Sequence, residues 1–451
     1  MTPDCNNPKP GEFDSMDRLS DLPDFIIHHI ISYLDMEEAY RTSVLSKKWN
    51  QIFATNPILD FDHYYNRKFP METLPRLLEY IDARMQKFSK ENLRITKFRL
   101  GLPPNDLLLP SKVDEWLEIA VRNQVTEIFL GAPTNYKLPS FLFCAKSLRN
   151  LDCDNVEIPF YEALELASLE ILSLHYNVVL EERMLFHIVS SCLNLKDLCI
   201  SFCPGIKNLV IPRHSKLEDL YIEGDVPVDG GKVILETSSL RSFGYNINGE
   251  NDPWPIISNR GLLRNLRHLS VSCLSITGED LAKLLQEELT SLEKLVFHGC
   301  EMPSSIKISH TQLKQIFFYD CDNLLNVVID APTLNKFKFK YYGEIDSIII
   351  HSQANCNIFV HTMASNFKTD GFFILKKLLT GLNNCSVLKM FLSRDDDIEF
   401  DEEESGNAEL GPPCDIEKLK LNLFLHPLKR IKVEETNNDL PYLEVQLRLC
   451  W

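Results

Sequence analysis

Thirteen cysteines carry the widest chemical repertoire in this sequence, as thiolate nucleophiles, metal ligands or disulfide partners. Their spacing supports none of these roles. No Cys-x-x-Cys pair occurs, no histidine stands at zinc-ligand spacing beside them, and none has the His-and-Asn context of a nucleophile. Cys199 and Cys203 come nearest to a pair, and the repeat described below gives them a packing role instead. His28 and His29 read as surface groups on a helix. With 17 glycines in the whole chain, no Gly-rich phosphate loop is present. No catalytic constellation, metal or cofactor is expected, and the chain is read as not being an enzyme. The chemistry left is non-covalent recognition. His298, Phe317, Tyr319, Lys336, Lys338 and Lys340, with Tyr221 upstream, set aromatic anchors beside a rim of cations, which suits an acidic or phosphorylated segment. A plainer reading stands beside it: lysines along an edge strand keep it from pairing with other chains.

Those residues fall in a unit that keeps returning. Leu169-x-x-Leu172-x-Leu174, Leu195-x-x-Leu198-x-Ile200, Leu217-x-x-Leu220-x-Ile222, Leu292-x-x-Leu295-x-Phe297, Leu313-x-x-Ile316-x-Phe318 and Leu334-x-x-Phe337-x-Phe339 are examples, beginning with Ile95-x-x-Phe98-x-Leu100. From Leu148 onward the steps are roughly 21 to 26 residues, the range of leucine-rich repeats. Each unit holds a short strand that cannot bury its apolar pair until neighbours stack on it, so the expected result is a curved solenoid. Asn or Cys is wanted three residues after each unit to satisfy the turning backbone. Asn177, Cys203, Asn248, Cys300 and Cys321 supply it, Asp225 is a near substitute, and Val156, Leu274 and Tyr342 depart from it.

The positions flanking each apolar pair point to the opposite side of the strand and are expected on the concave face. That face reads His175, Asp197, Asp219, Tyr221 and Glu223 in its first half, then His268, Lys294, His298, Phe317, Tyr319, Lys336, Lys338 and Lys340. Its charge changes sign. Glu181 to Cys192 and Gly278 to Leu289 read as amphipathic helices on the convex side, while Ile206 to Ile211, Leu324 to Ile329 and Ile345 to Ile350 read as second strands on the other side of a coil. Ile416 to Leu421 and Leu440 to Val445 are expected to resume the unit and close the array.

A net charge of −17 argues against nucleic acid as a partner, because phosphate binding needs a basic face. About half of that excess is local, in Asp395, Asp396, Asp397, Glu399, Asp401, Glu402, Glu403 and Glu404, a run that reads as a solvated loop. No apolar run is long enough to span a bilayer, and residues 1–17 lack the apolar core of a signal peptide, so cytoplasm or nucleus is expected.

Ahead of the repeats, residues 17–60 read as three short helices. Pro23 suits a first helical position, Leu22, Ile26, Ile30 and Leu34 form a stripe at a spacing of four, and Ile27 and Ile31 widen it beyond what so small a unit can bury. Ser46 is placed to cap a third helix carrying Trp49, Ile52 and Phe53. Leu22-Pro23, Ile26, Ile30, Leu34, Ala39 and Leu45-Ser46-Lys47-Lys48-Trp49 together resemble the F-box of plant proteins over roughly forty-five residues. The fold class expected is therefore α/β: a three-helix F-box followed by a leucine-rich-repeat solenoid. Its boundaries read as a disordered stretch 1–16, F-box 17–60, helical cap 61–94, irregular repeats 95–393, acidic loop 394–415, and terminal repeats 416–451.

The resemblance implies a Skp-type adaptor bound through Leu22, Pro23, Ile26, Ile30, Leu34, Leu45, Ser46 and Trp49, and through it the cullin of a ubiquitin ligase. The repeats would then hold an unknown target protein on Tyr221, His298, Phe317, Tyr319, Lys336, Lys338 and Lys340. Two other readings stay open: a repeat protein that occludes a partner outside any ligase, and a ligand-dependent receptor of the plant hormone type.

Overall fold

The structure is a computed structural model that describes residues 19, 21–31, 33–34, 36–62, 74–101, 110–224, 232–246, 256–258, 262–340, 346–354, 356–363, 385–393, 433–434 and 442–448. The chain divides into two compact units, Met1–Val156 and Glu157–Trp451.

In the first unit, α1 (Asp24–Ile31), α2 (Met36–Ser43) and α3 (Lys47–Ala54) precede β1 (Ile58–Asp62), α4 (Leu74–Glu91), β2 (Lys97–Gly101), α5 (Pro110–Arg122) and β3 (Glu127–Lys137). The unit's boundary falls within β4 (Asn150–Ile158). The Ser46 hydroxyl accepts from the Trp49 N–H at 3.2 Å and so starts α3 as its sequence requires. β1, β2 and β3 are parallel, with Leu59 opposite Phe98 and Phe98 opposite Ile128. The ladder thus begins at Ile58, ahead of Ile95 where the repeat becomes visible in sequence. In β1 the first apolar slot is filled by Asn56, whose side chain accepts from the Ile58 N–H at 3.3 Å. The polar residue turns the chain and hides the unit from a search for apolar spacing.

α4 is joined to α3 by one buried cation. Arg84, 8% exposed, donates to the carbonyls of Ala54 at 2.8 Å and Phe53 at 3.1 Å, with its guanidinium 5.2 Å and 5.3 Å from the Phe53 and Phe88 ring centroids. The last carbonyls of a helix have no internal partner, and a cation there also meets the negative end of its dipole. α5, a helix not among those expected from sequence, buries Val113, Trp116, Leu117 and Ala120 at helical spacing, and the Trp116 indole donates to Asp82 at 3.2 Å.

The second unit repeats one theme: β5 (Ile171–His175), β6 (Val179–Leu180), α6 (Glu182–Ser191), β7 (Asp197–Ser201), β8 (Asn208–Ile211), β9 (Asp219–Glu223), β10 (Lys232–Leu235), β11 (Ser242–Asn246), β12 (Ile256–Ser258) and β13 (His268–Ser272). It continues with α7 (Gly278–Lys283), β14 (Lys294–His298), β15 (Ser305–Ser309), β16 (Gln315–Tyr319), β17 (Asn326–Asp330), β18 (Lys336–Lys340), β19 (Ser347–His351), β20 (Cys356–Met363), β21 (Cys385–Ser393), β22 (Val433–Glu434) and β23 (Tyr442–Arg448). A main ladder runs in parallel through β5, β7, β9, β11, β13, β14, β16, β18, β20 and β21. Its inward pairs, Leu198 and Ile200, Leu220 and Ile222, Leu295 and Phe297, Ile316 and Phe318, Phe337 and Phe339, are at most 2% exposed.

Second strands form two further parallel sheets, β8–β10–β12 and β15–β17–β19. The extra matches at Leu209, Val327 and Ile348 are these strands. Among the described residues of this unit, α-helices return the chain at α6 and at α7, which continues as a wider turn over Leu284–Glu288. β-Branched runs such as Ile348-Ile349-Ile350 favour a strand over a helix.

One expectation needs revision, and several lie beyond the described residues. β23 contains Leu443 and Val445 but pairs antiparallel with β21 and with β22, so it is not one more coil; successive coils, each wound the same way, pair in parallel. The stretch 1–16, the stretch Asp370 to Leu382, whose sequence reads as another helix, the acidic loop 394–415, the Ile416 unit, Asp225, Asn248 and Tyr342 lie outside the described residues. Of the turn residues that are described, the Cys203 thiol donates to the Leu174 carbonyl at 3.3 Å and Cys300 to that of Val271 at 3.6 Å, both reaching back to an earlier coil. Asn177 takes the left-handed backbone, φ 60°, that such a turn needs.

His310, 8% exposed, fastens the loop after β15. Its Nδ1 accepts from the Gln312 N–H at 3.2 Å, so Nε2 carries the proton and donates to the Leu289 carbonyl at 2.9 Å. Burial lowers its pKa below the ordinary histidine value. The neutral form belongs to the folded state, so this contribution is complete above pH about 6.5 and is lost as pH falls through the lowered folded value. His310→Gln is expected to flatten the decline in melting temperature between about pH 7 and 5. An unchanged pH profile in thermal melts would show that His310 contributes nothing to it.

Candidate protein-binding surfaces

In the first unit, Ile27, Ile31, Ala39, Trp49, Ile52 and Phe53 form a closed core, with Leu22, Ile30 and Leu34 packed on it half-buried. Trp49 is 3% exposed. Ile26 is half-buried, Pro23 is exposed, and Ser46 is occupied as the cap of α3. Most of the apolar residues named from sequence for an adaptor are therefore engaged in the helices' own core. The apolar surface offered outward is made by others: Phe25 is 70% exposed, Tyr33 77%, Tyr40 58% and Val44 74%, joined by Leu45 at 60%. A stripe at a spacing of four does not say which side faces in. With three short helices, Ile27 and Ile31 win the interior because α3 closes on that side with Trp49.

This N-terminal segment and the ladder after it can be set beside known proteins. The F-box domain model matches residues 19–61. The model described as At1g61320/AtMIF1, LRR domain, matches residues 85–226 and 255–394, more than half of the chain. The chain belongs to the plant F-box/leucine-rich-repeat protein family. Among its relatives is a putative F-box/LRR-repeat protein of Arabidopsis thaliana, 30% identical over 368 residues, 73% of this chain and 80% of that one. An FBD-associated F-box protein of the same plant is 26% identical over 75% of this chain and 73% of its own length. A putative F-box/FBD/LRR-repeat protein, again from Arabidopsis thaliana, is 27% identical over 72% and 69%.

On the leucine-rich repeats of the second unit, the outward positions of the ladder form a grid. One row holds Lys294, Gln315, Lys336 and Asn357, the next Val296, Phe317, Lys338 and Phe359, the third His298, Tyr319 and Lys340. Phe317 faces outward yet is only 7% exposed, because lysine side chains cover it: the Lys294, Lys336 and Lys338 ammonium groups stand 5.6, 5.7 and 5.4 Å from its ring centroid. Tyr319 lies 6.1 Å from both the Phe317 and the His298 ring centroids, and burial raises its phenol pKa. His298 is exposed and Lys340 half-buried. What this patch presents is therefore cationic heads over an aromatic floor, rather than the open aromatic anchors expected from sequence.

Tyr221 sits apart, on β9, opposite Gly244 of β11. A Cβ on Gly244 would come within 2.4 Å of the Tyr221 ring, so glycine is what lets the ring lie across the next strand. Glu223 beside it accepts from Ser201 at 2.8 Å and Asn246 at 3.0 Å. Asp197 lies opposite Asp219, and burial, then the Asp219 charge, raises its pKa. The sequence spacing does not find Phe359 because Asn355 stands where the unit would have its first apolar residue, as Asn56 does ahead of β1.

Among the described residues no group of three or more His, Cys, Asp or Glu side chains is placed to hold a metal ion. Among them too, no helix is long and apolar enough to cross a membrane.

Proposed function

We propose that this chain is the substrate receptor of a Skp-cullin-F-box ubiquitin ligase, holding the adaptor through its three helices and a target protein on the outward grid of its ladder. The observation that carries this is the exposed apolar set Phe25, Tyr33, Tyr40, Val44 and Leu45, lying over a core that is already complete. A segment with a closed core leaves these five large apolar side chains largely in water, and exposed apolar surface of this kind marks a protein interface. Of the residues assigned to the adaptor from sequence, Pro23 and Leu45 are exposed and able to touch it directly; Leu22, Ile30, Leu34 and Trp49 hold the helices together, Ser46 caps α3, and Ile26 is half-buried.

The chain's contribution to ubiquitin transfer is proximity, since a tethered target sees a high local concentration of the loaded enzyme without a catalytic group in the receptor. The test is co-expression of the full chain with a Skp-type adaptor: a stoichiometric complex on size exclusion is expected. A full-length chain that folds and elutes alone would reject the receptor in favour of a repeat protein acting outside a ligase.

A further inference from the structure

The ladder of the second unit handles charge in two ways. At the strand starts, opposite charges are paired between neighbouring coils: Lys196 with Glu170 at 3.7 Å, Arg241 with Glu218 at 3.4 Å, and Glu293 with both Arg267 at 3.7 Å and Lys314 at 2.9 Å. On the outward grid the pairing stops. Lys294, Lys336 and Lys338 all stand within 5.7 Å of the Phe317 ring centroid, and no described residue gives any of the three a carboxylate partner.

Cations over rings attract weakly at exposed sites, and Lys338 also stands 5.6 Å from the Phe359 ring centroid. The three like charges repel one another and offset part of that attraction. A cluster of cations without carboxylate partners is a place for an anion to bind.

The number and spacing of the donors narrow the ligand. One carboxylate brings a single charge and two oxygens, too few for three ammonium groups. A phosphomonoester brings roughly −1.5 to −2 charges and three acceptor oxygens, one for each lysine. Phe317, held at 7% exposure, gives the lysine stems a fixed apolar floor, which limits the side-chain freedom lost when an anion is bound. A long polyanion is disfavoured, because Asp197 and Asp219 lie on β7 and β9, and β9 is four strands from β16 through β11, β13 and β14, about 19 Å at the usual strand spacing. The anion must be local on its carrier.

We propose that Lys294, Lys336 and Lys338 over Phe317 bind a phosphorylated serine or threonine in an extended segment of the target protein. This rests on the receptor reading and names the class of target.

The experiment uses the full chain in complex with its adaptor and three fluorescent short peptides, identical except for a central phosphoserine, glutamate or serine. Phosphoserine is expected to bind at least about tenfold more tightly than serine, with glutamate between them. Combining Lys336→Ala with Lys338→Ala should erase that preference, whereas Lys314→Ala, which removes an ammonium already held by Glu293, should keep it. Acetylation rates read by mass spectrometry should show Lys294, Lys336 and Lys338 protected by the phosphopeptide while Lys196 and Lys314 are not. Equal affinity for serine and phosphoserine, or protection spread evenly over all lysines, overturns the proposal. Equal protection by inorganic phosphate at the same concentration also overturns it, by making this a site for free anions. None of these failures would disturb the adaptor complex, so the receptor reading stands or falls separately.

Discussion

Replacing Val44 and Leu45 together by aspartate is expected to abolish adaptor capture while leaving the chain folded. The two side chains are 74% and 60% exposed, so neither supports the helical core. Each apolar side chain of this size buried at a partner contributes about 1.5–3 kcal/mol. Losing both, and asking the interface to desolvate two carboxylates instead, should weaken binding by two orders of magnitude or more. The fold should be indifferent: Val44 follows α2, where an acid is slightly unfavourable, and Leu45 precedes the Ser46 cap of α3, where an acid is slightly favourable. Calorimetric titration of the adaptor and a thermal melt decide it. Affinity retained within a few-fold would move the adaptor surface elsewhere. Trp49→Ala makes the contrast, since a side chain 3% exposed in that core should take helical stability and adaptor binding down together.

Phe318→Ala is expected to be among the most damaging single changes in the ladder. The ring is fully buried, 5.3 Å from Phe297 and 6.3 Å from Phe337 and Phe339. It therefore joins the cores of β14, β16 and β18. Truncation of a buried phenylalanine costs about 3–5 kcal/mol through lost burial and the cavity left behind. Coils support one another only through neighbours, so the loss should release β16 together with the strands on either side. Urea denaturation should show the lower midpoint, and amide exchange should speed up across β14, β16 and β18. Phe318→Leu should recover most of the loss, and Lys338→Ala, on the outward face of the next strand, should stay within about 0.5 kcal/mol of the parent. A midpoint shift for Phe318→Ala no larger than that for Lys338→Ala would mean that the coils are not coupled through this stack.

The repeat was legible because its physical rule is local. A strand that buries every second residue against its neighbours must write that alternation in sequence, and Leu220, Ile222, Ile316, Phe318, Phe337 and Phe339 do so without exception. The second strands at Leu209, Val327 and Ile348 were visible by the same alternation. The rule failed where one residue broke the apolar pattern: Asn56 turns the chain into β1, and in the sequence Asn355 stands where the unit of Phe359 would have its first apolar residue. It also failed at β23, because the alternation of Leu443 and Val445 is identical for parallel and antiparallel partners.

By itself, then, the sequence determined the element types, the stacking unit, the three-helix segment with its Ser46 cap, and which side chains of each ladder strand share a face, since all of these follow from spacing along a single strand or helix. Only the tertiary structure decided which apolar residues of the three helices remain available to a partner, because that depends on where α3 closes: Ile27 and Trp49 went inside, and Phe25, Val44 and Leu45 stayed out. It likewise gathered Lys294 of β14 with Lys336 and Lys338 of β18 around Phe317 of β16. Residues more than forty positions apart become neighbours through strand register, which is set by the packing of whole coils and is written at no single position in the chain.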